Sequence, residues 1–386
     1  MKHVTQKDIA KSLGISQQTV ALVLGRTESP LRNRVKAETA RRVQEKAREL
    51  GYVGNNNARM LRQSRSNLII LLNFYGFSEK IGRQINMIGR RIHEAGYDFR
   101  ALEVEWWMGD VEFNIEKLMG FRPEGIILNG PPHLPFETRH FEELIRQGIP
   151  LVSFGTGVLG ESRVNHNAKD PIFEITTNAI RAGRRRLALL MNSDHSAWQN
   201  LEKIAGFREA ILKAGGAEPQ RRSLNYSFPS NSDTLESAIL VDPSRAFEEP
   251  GLKREMEVAE QILNSPNPAD TLVCSNEKYA IGVLNVCNRR EISVPDALYV
   301  SGFSNTSFRT HGDEFLTSVE QPVEAACEAA VDILLARVNK PADKQPPREE
   351  RIFACQVIWR KSSPLCDSSN PTFISQPAET TPQIAL

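Results

Sequence analysis

Apolar positions in the first fifty residues recur three times at helical spacing. Ile9, Ala10 and Leu13 share one face of a segment opened by Thr5, and Asp8 stands three residues after that threonine, the spacing of a capping box. Gly14 follows, a residue without a Cβ and so suited to the left-handed turn that ends a helix. Ile15 would fill the corner and Ser16 would cap a second helix with Val20, Val23 and Leu24 inward, leaving Gln17, Gln18 and Ala21 near its exposed N-terminal end. A third helix is predicted over residues 37–50, with Ala40, Val43, Ala47 and Leu50 inside and Arg41, Arg42, Lys46 and Arg48 outside. Two short helices about a tight turn have the layout of a helix-turn-helix, whose second helix enters the major groove N-terminus first. An ordinary helical hairpin is the plainer alternative.

From residue 67 the pattern changes. Short apolar runs at 68–72, 125–128, 151–154, 187–191, 271–274 and 298–300 predict buried strands. Between them lie helical segments at 81–95, 136–147, 171–182, 200–214, 253–263, 279–290 and 323–338. Strands separated by helices of this length imply an α/β fold with parallel sheets covered on both faces, and the segment has room for two such sheets. Residues 363–386, rich in Ser, Pro and Thr, read as a disordered tail.

Composition narrows the class. The 386 residues, 40% hydrophobic and 25% charged, suit two or three globular domains. No apolar run approaches the ~20 residues of a membrane span, and the opening MKHVTQKD lacks the apolar core of a secretory signal, so a cytoplasmic protein is expected. Five scattered cysteines without a CxxC pair read as reduced thiols, with no metal site and no cofactor expected. The net charge of +1 hides an asymmetry: residues 1–66 carry +9 and the remainder −8, as a phosphate-binding head on an acidic body would. No HExxH, GxSxG or phosphate-cradling glycine loop is present, so an enzyme is not expected. His93, His133, His140, His166, His195 and His311 read as surface or capping residues.

Residues 4–24, the third helix, Gly51-Tyr52 and the run Asn55-Asn56-Asn57-Ala58-Arg59-Met60-Leu61-Arg62 resemble the headpiece and hinge helix of the Lac repressor (LacI/GalR) family. The likeness continues more loosely to about residue 362, through FRPEGIIL (121–128), KIAGFREAILKAG (203–215), SNEKYAIGVL (275–284) and SVPDALYVSGFSN (293–305). It implies a headpiece at 1–54, a hinge helix and linker at 55–66, a two-lobed periplasmic-binding-protein-like body at 67–362 for effector binding and dimerisation, and the tail at 363–386. It also implies a DNA-binding transcriptional regulator, with repression the expected sign, acting as a homodimer on a near-palindromic double-stranded operator. A small-molecule effector between the lobes, carbohydrate-derived in many relatives, would shift DNA binding through linkage. The alternative is a regulator of the same family with a degenerate, ligand-independent cleft.

Carried over residue by residue, Gln17 and Gln18 stand where the family reads bases, and Gln can bond adenine N6 and N7. The family's usual Ser-Arg after Thr-Val is Ala21-Leu22 here, so Leu22 could touch a thymine methyl instead. Thr5, Ser16, Thr19 and Thr39 are candidate phosphate contacts as well as helix caps. Asn55, Ala58 and Leu61 belong to the hinge, where Leu61 stands at the position of the minor-groove wedge or else docks on the larger domain. Gly54 replaces the usual proline, and the loop GRTESPLRNRVKAE is about five residues longer than the family's connection; its Arg26, Arg32, Arg34 and Lys36 add phosphate contacts or simply solvate it. In the cleft, Asn276 keeps the usual Asn, whereas Gly155, Lys203 and Ser304 replace an Asp, an Arg and an Asp. Phe74, Tyr75 and Phe77 would stack on a ligand ring or cover the cleft mouth, and Trp106-Trp107 reads as packing or surface. The effector-binding candidates are therefore Phe74, Phe77, Lys203, Asn276 and Ser304.

Overall fold

A strand read as Leu-Ile-Ile-Leu-Leu has no polar face, so it is stable only where both sides of its sheet are covered. The computed structural model shows that arrangement twice; it describes residues 4–24, 35–52, 65–74, 79–103, 118–130, 135–155, 161–192, 198–230, 234–243, 251–305 and 315–366. The chain divides into two units, Met1–Ser66 and Asn67–Leu386.

The first unit contains α1 (Gln6–Leu13), α2 (Gln17–Leu24) and α3 (Ala37–Glu49). Their shared core is Ile9, Ala10, Val20, Val23, Val43 and Ala47, ringed by Leu13, Ile15, Leu24, Ala40, Leu50 and Tyr52. The helical apolar spacing thus predicts this core position by position. The capping box is present: the Asp8 amide donates to Thr5 Oγ1 at 3.3 Å and the Thr5 amide donates to Asp8 Oδ2 at 2.8 Å. Gly14 takes φ +65° and donates its N–H to the Ala10 carbonyl, closing α1.

In the second unit, one sheet runs β12-β5-β4-β3-β1-β2, all parallel: Glu350–Ala354, Ser162–Asn167, Leu151–Phe154, Gly125–Asn129, Leu68–Asn73 and Asp98–Glu103. Helices α4 (Glu79–Glu94) and α10 (Val323–Arg337) cover one face through Ile88, Ile92, Val331 and Leu334; α5 (Pro135–Arg146) covers the other through Phe141 and Leu144. The other sheet runs β13-β11-β10-β9-β6-β8-β7: Gln356–Ile358, Thr317–Glu320, Tyr299–Ser304, Thr271–Cys274, Arg186–Asn192, Glu236–Asp242 and Gln220–Arg222, with only β13 antiparallel. Helices α6 (Lys169–Arg181) and α7 (Trp198–Lys213) pack on one side; α8 (Lys253–Leu263) and α9 (Glu277–Arg289) pack on the other. At the α6–α7 crossing a Cβ on Gly206 would sit 2.1 Å from the Lys169 carbonyl oxygen, so only glycine allows that approach.

The chain passes between the sheets three times: at Ala168 after β5, at Gln321-Pro322 after β11, and at Cys355 between β12 and β13. Strands β5 and β12 escape an apolar-run search because β5 is mostly polar and β12 opens on Glu350-Arg351, yet both are built into the sheet. Glu350 on β12 accepts from Arg163 at 2.7 Å and from Asn165 at 2.9 Å, both on β5. The expected tail boundary also moves. Ser362 and Ser363 are buried, with Ser362 Oγ donating to the Val300 carbonyl at 2.6 Å, and the Cys366 amide donates to Asn178 Oδ1 at 2.8 Å. Residues 363–366 are therefore fixed to the second lobe, and the rest of the expected tail lies outside the described residues.

Candidate nucleic-acid interface and interlobe site

In the headpiece, Ser16 Oγ accepts the Thr19 amide at 3.1 Å and shares a 2.8 Å hydrogen bond with Thr19 Oγ1. This cap fixes the start of α2, and Val20 and Val23 turn its other face into the core. Gln17 and Gln18 are left exposed, Thr19 and Leu22 half-buried. Two amide side chains thus project from a rigid helix end, where base-edge readout requires them. Thr39 lies in the first turn of α3, half-buried, while Lys36 holds the cap position without a side-chain bond. Outward on α3, Lys46 pairs with Glu49 at 2.8 Å and Arg41 reaches Glu45 at 3.9 Å; Arg42 and Arg48 have no ion-pair partner among the described residues. Asn55, Ala58 and Leu61, Gly54, and Arg26, Arg32 and Arg34 lie outside the described residues.

Ligands of open α/β sheets bind beyond the carboxyl ends of the strands. Those ends carry a polar set that the apolar pattern could not show. Asn73 ends β1 and Asn129 ends β3, both buried; Asn129 Nδ2 donates to Asn73 Oδ1 at 3.1 Å and to Gln84 Oε1 at 3.4 Å. From α4, Lys80 Nζ donates to Gln321 Oε1 at 2.6 Å, and Gln321 sits on the second crossing between lobes. Lysine can only donate, so that bond fixes the amide orientation and leaves Gln321 Nε2 as a buried donor without a partner. His166, near the end of β5, is 3% exposed rather than on the surface as expected; its Nδ1 also lacks a partner. Burial first, and then the Lys80 charge, hold its pKa down to about 3, so it is neutral.

Across the junction, Lys203 of α7 is 5% exposed. Its Nζ donates to the Ser275 carbonyl at 2.9 Å and lies 4.2 Å from the centre of the Phe303 ring. Burial, then the charge of Lys80, brings the Lys203 pKa down to about 7, and burial brings Lys80 to about 8. Cys355 and Cys327 face these ammonium groups, but burial lifts both thiols to about 12, so neither supplies a counter-charge at neutral pH. Asp242, at the end of β8, is consumed elsewhere: Arg254 reaches it at 2.5 Å and the Tyr279 hydroxyl donates to it at 2.8 Å.

Of the expected effector residues, Lys203 stands in this site. Asn276 caps α9, its Oδ1 accepting the Tyr279 amide at 2.9 Å. Ser304 ends β10 with φ +104°, a strained backbone for any residue but glycine. Gly155, which follows β4, has φ +88°, so the position where the family resemblance expects Asp has a backbone suited to glycine. Phe74 is turned into the first lobe's core, its ring edge-on to Phe141 at 6.1 Å, which accounts for that aromatic without a ligand. Phe77, Tyr75 and Trp106-Trp107 lie outside the described residues. Sequence reasoning missed Lys80, Gln321, His166, Asn73, Gln84 and Asn129. The available signal was position for four of them: Asn73 and Asn129 end strands, His166 lies one residue from the end of β5 and Gln321 follows β11, whereas Lys80 and Gln84 lie within α4.

The sequence pattern of the periplasmic binding protein-like domain matches residues 177–363. A probable HTH-type transcriptional repressor, ExuR of Bacillus subtilis (strain 168), is 24% identical over an alignment covering 88% of this chain and 93% of that protein. Over most of its length the chain is thus similar to LacI-family repressors. The ribose operon repressor of Escherichia coli (strain K12) is 22% identical over 93% of this chain and 99% of its own length. In fold, the chain superposes on a crystal structure of the Lac repressor dimer bound to operator and the anti-inducer ONPF, with a TM-score of 0.72 at 17% identity, covering 94% of this chain and all of that one. Among the described residues of this chain, no helix is long and apolar enough to cross a membrane, and no group of His, Cys, Asp and Glu could hold a metal ion.

Proposed function

We propose that this chain is a LacI/GalR regulator that represses transcription as a homodimer, reading a near-palindromic operator with α2 and responding to a small molecule held where its two lobes meet. The observation that carries the reading is the capped α2 with Gln17 and Gln18 exposed at its start, on a separate unit of charge +9. That unit supplies base-edge amides and phosphate-seeking cations together. Two copies on a twofold axis would read two half-sites, and the polar interlobe site supplies the place where an effector biases one dimer geometry over another.

The test is selection of bound duplexes from a random pool with the purified chain, Gln18→Ala and Leu61→Ala. The intact protein should enrich a near-palindrome with a flexible central step. Gln18→Ala should relax discrimination at one position per half-site by about 1–3 kcal/mol, and Leu61→Ala should weaken binding without changing the half-sites. A pool that emerges unenriched would sink the reading.

A further inference from the structure

The lobe junction holds more positive charge than its surroundings balance. Lys203 is nearly inaccessible and Lys80 is partly buried, and the Lys80 charge acts on Lys203. No carboxylate among the described residues pairs with either. Lys203 has three N–H donors, of which one is used on the Ser275 carbonyl. Beside them the buried Gln321 Nε2 is a donor with nothing to accept from it. Buried charges are normally paired, and unpaired buried donors are rare enough to need an explanation. Asp242, a buried strand-end carboxylate of the same lobe as Lys203, is already engaged by Arg254 and Tyr279.

We propose that the effector is a small anion, its acidic group held between the ammonium groups of Lys80 and Lys203 with Gln321 Nε2 as a third donor. This inference rests on the reading of the lobe junction as the effector site. A neutral polyol would leave both ammonium groups unpaired. A carboxylate or a phosphate supplies the missing counter-charge and accepts from donors already in place. The amides of Asn73 and Asn129 on the first lobe's strand ends, with Gln84 of α4 beside them, suit the hydroxyl groups of the same molecule. Closing the lobes on such an anion would bring counter-charge to both sides at once, which gives the ligand the differential affinity a switch needs.

The experiment is thermal unfolding and calorimetric titration of the full chain with four probes: inorganic phosphate, glucose, glucuronate and glucose 6-phosphate. The three sugars differ in the group at carbon six, so they separate neutral, carboxylate and phosphate chemistry on one scaffold. Phosphate and at least one acidic sugar should raise the unfolding temperature while glucose does not, and the stronger acid identifies which anion is preferred. In the Lys80→Met/Lys203→Met double variant the affinity should fall by roughly tenfold or more, whereas Lys203→Arg should retain it. The double variant should unfold no lower than wild type without ligand, which separates lost binding from lost folding. A phosphate shift that survives in the double variant belongs to the headpiece cations and overturns the proposal. Stabilisation by glucose equal to that by the acids overturns it too, while leaving an effector site at the lobe junction intact. No response to any probe overturns the anion proposal; operator selection by the same protein would then show that the DNA-reading half of the proposed function stands.

Discussion

Two buried charges on the same lobe have opposite surroundings. Asp242 is wholly inaccessible and meets both a guanidinium and a phenol, so its charge is compensated within the fold. Lys203 is almost as buried but meets only a carbonyl oxygen and the face of a ring. A charge balanced inside the protein serves stability. One left unbalanced costs stability and persists where something from outside completes it. The contrast therefore separates the scaffold of the second lobe from its site.

That contrast can be broken by experiment. Asp242→Ala should be the most damaging change, lowering stability by about 3–5 kcal/mol in denaturant unfolding, because it strands the buried Tyr279 hydroxyl and takes from Arg254 its nearer carboxylate. If it costs nothing, the pairing is ornamental and the comparison fails. Lys203→Met should act in the other direction, raising the stability of the ligand-free protein at pH 7 by about 2–4 kcal/mol. The sign follows from the depressed pKa: the unfolded chain holds its lysine proton up to about pH 10, whereas the folded site releases it near 7, so wild-type stability climbs between those values. The variant's advantage should shrink over the same window and vanish above it. The groups facing this ammonium are Lys80, itself lowered to about 8, and the uncharged Cys355; around Lys80 stand neutral His166 and Cys327. None of these supplies a carboxylate that would reverse the sign. The smallest effect belongs to Ser304→Gly, which should add about 1 kcal/mol by relieving the +104° backbone. Unchanged stability there would mean the strand end carries no strain.

The headpiece was legible almost residue by residue, and the reason is range. Its cap, its αL glycine and its apolar stripe are all determined within a few positions of one another. In the body, β1, β3, β4, β6, β9 and β10 announced themselves as apolar runs because both faces are covered. The interlobe site did not. Lys80 opens an amphipathic helix and looks like part of a solvated face; it becomes a site residue only when Gln321, 241 positions along the chain, is brought beside it. Phe74 shows the converse, an aromatic whose position after a strand suggested a ligand and whose ring instead completes a core. Lys203 was legible as a departure from the family's usual Arg, but its missing counter-charge was not, since absence of a partner is a property of space.

The third crossing has a consequence for how this chain is made. Strand β12, Glu350–Ala354, completes the first sheet, and β13, Gln356–Ile358, completes the second one residue later. A ribosome adds about 5–20 residues each second, so β5 waits roughly ten seconds or more for its neighbour after leaving the exit tunnel. Throughout that interval β5 lacks its outer neighbour, and β11 lacks its own from the moment it is made, while the headpiece has long had every residue its helices require. The vulnerable period in the life of this protein is thus the last stage of its own translation. A messenger truncated just before codon 350 would yield a chain with a finished DNA-reading head and two unfinished sheets.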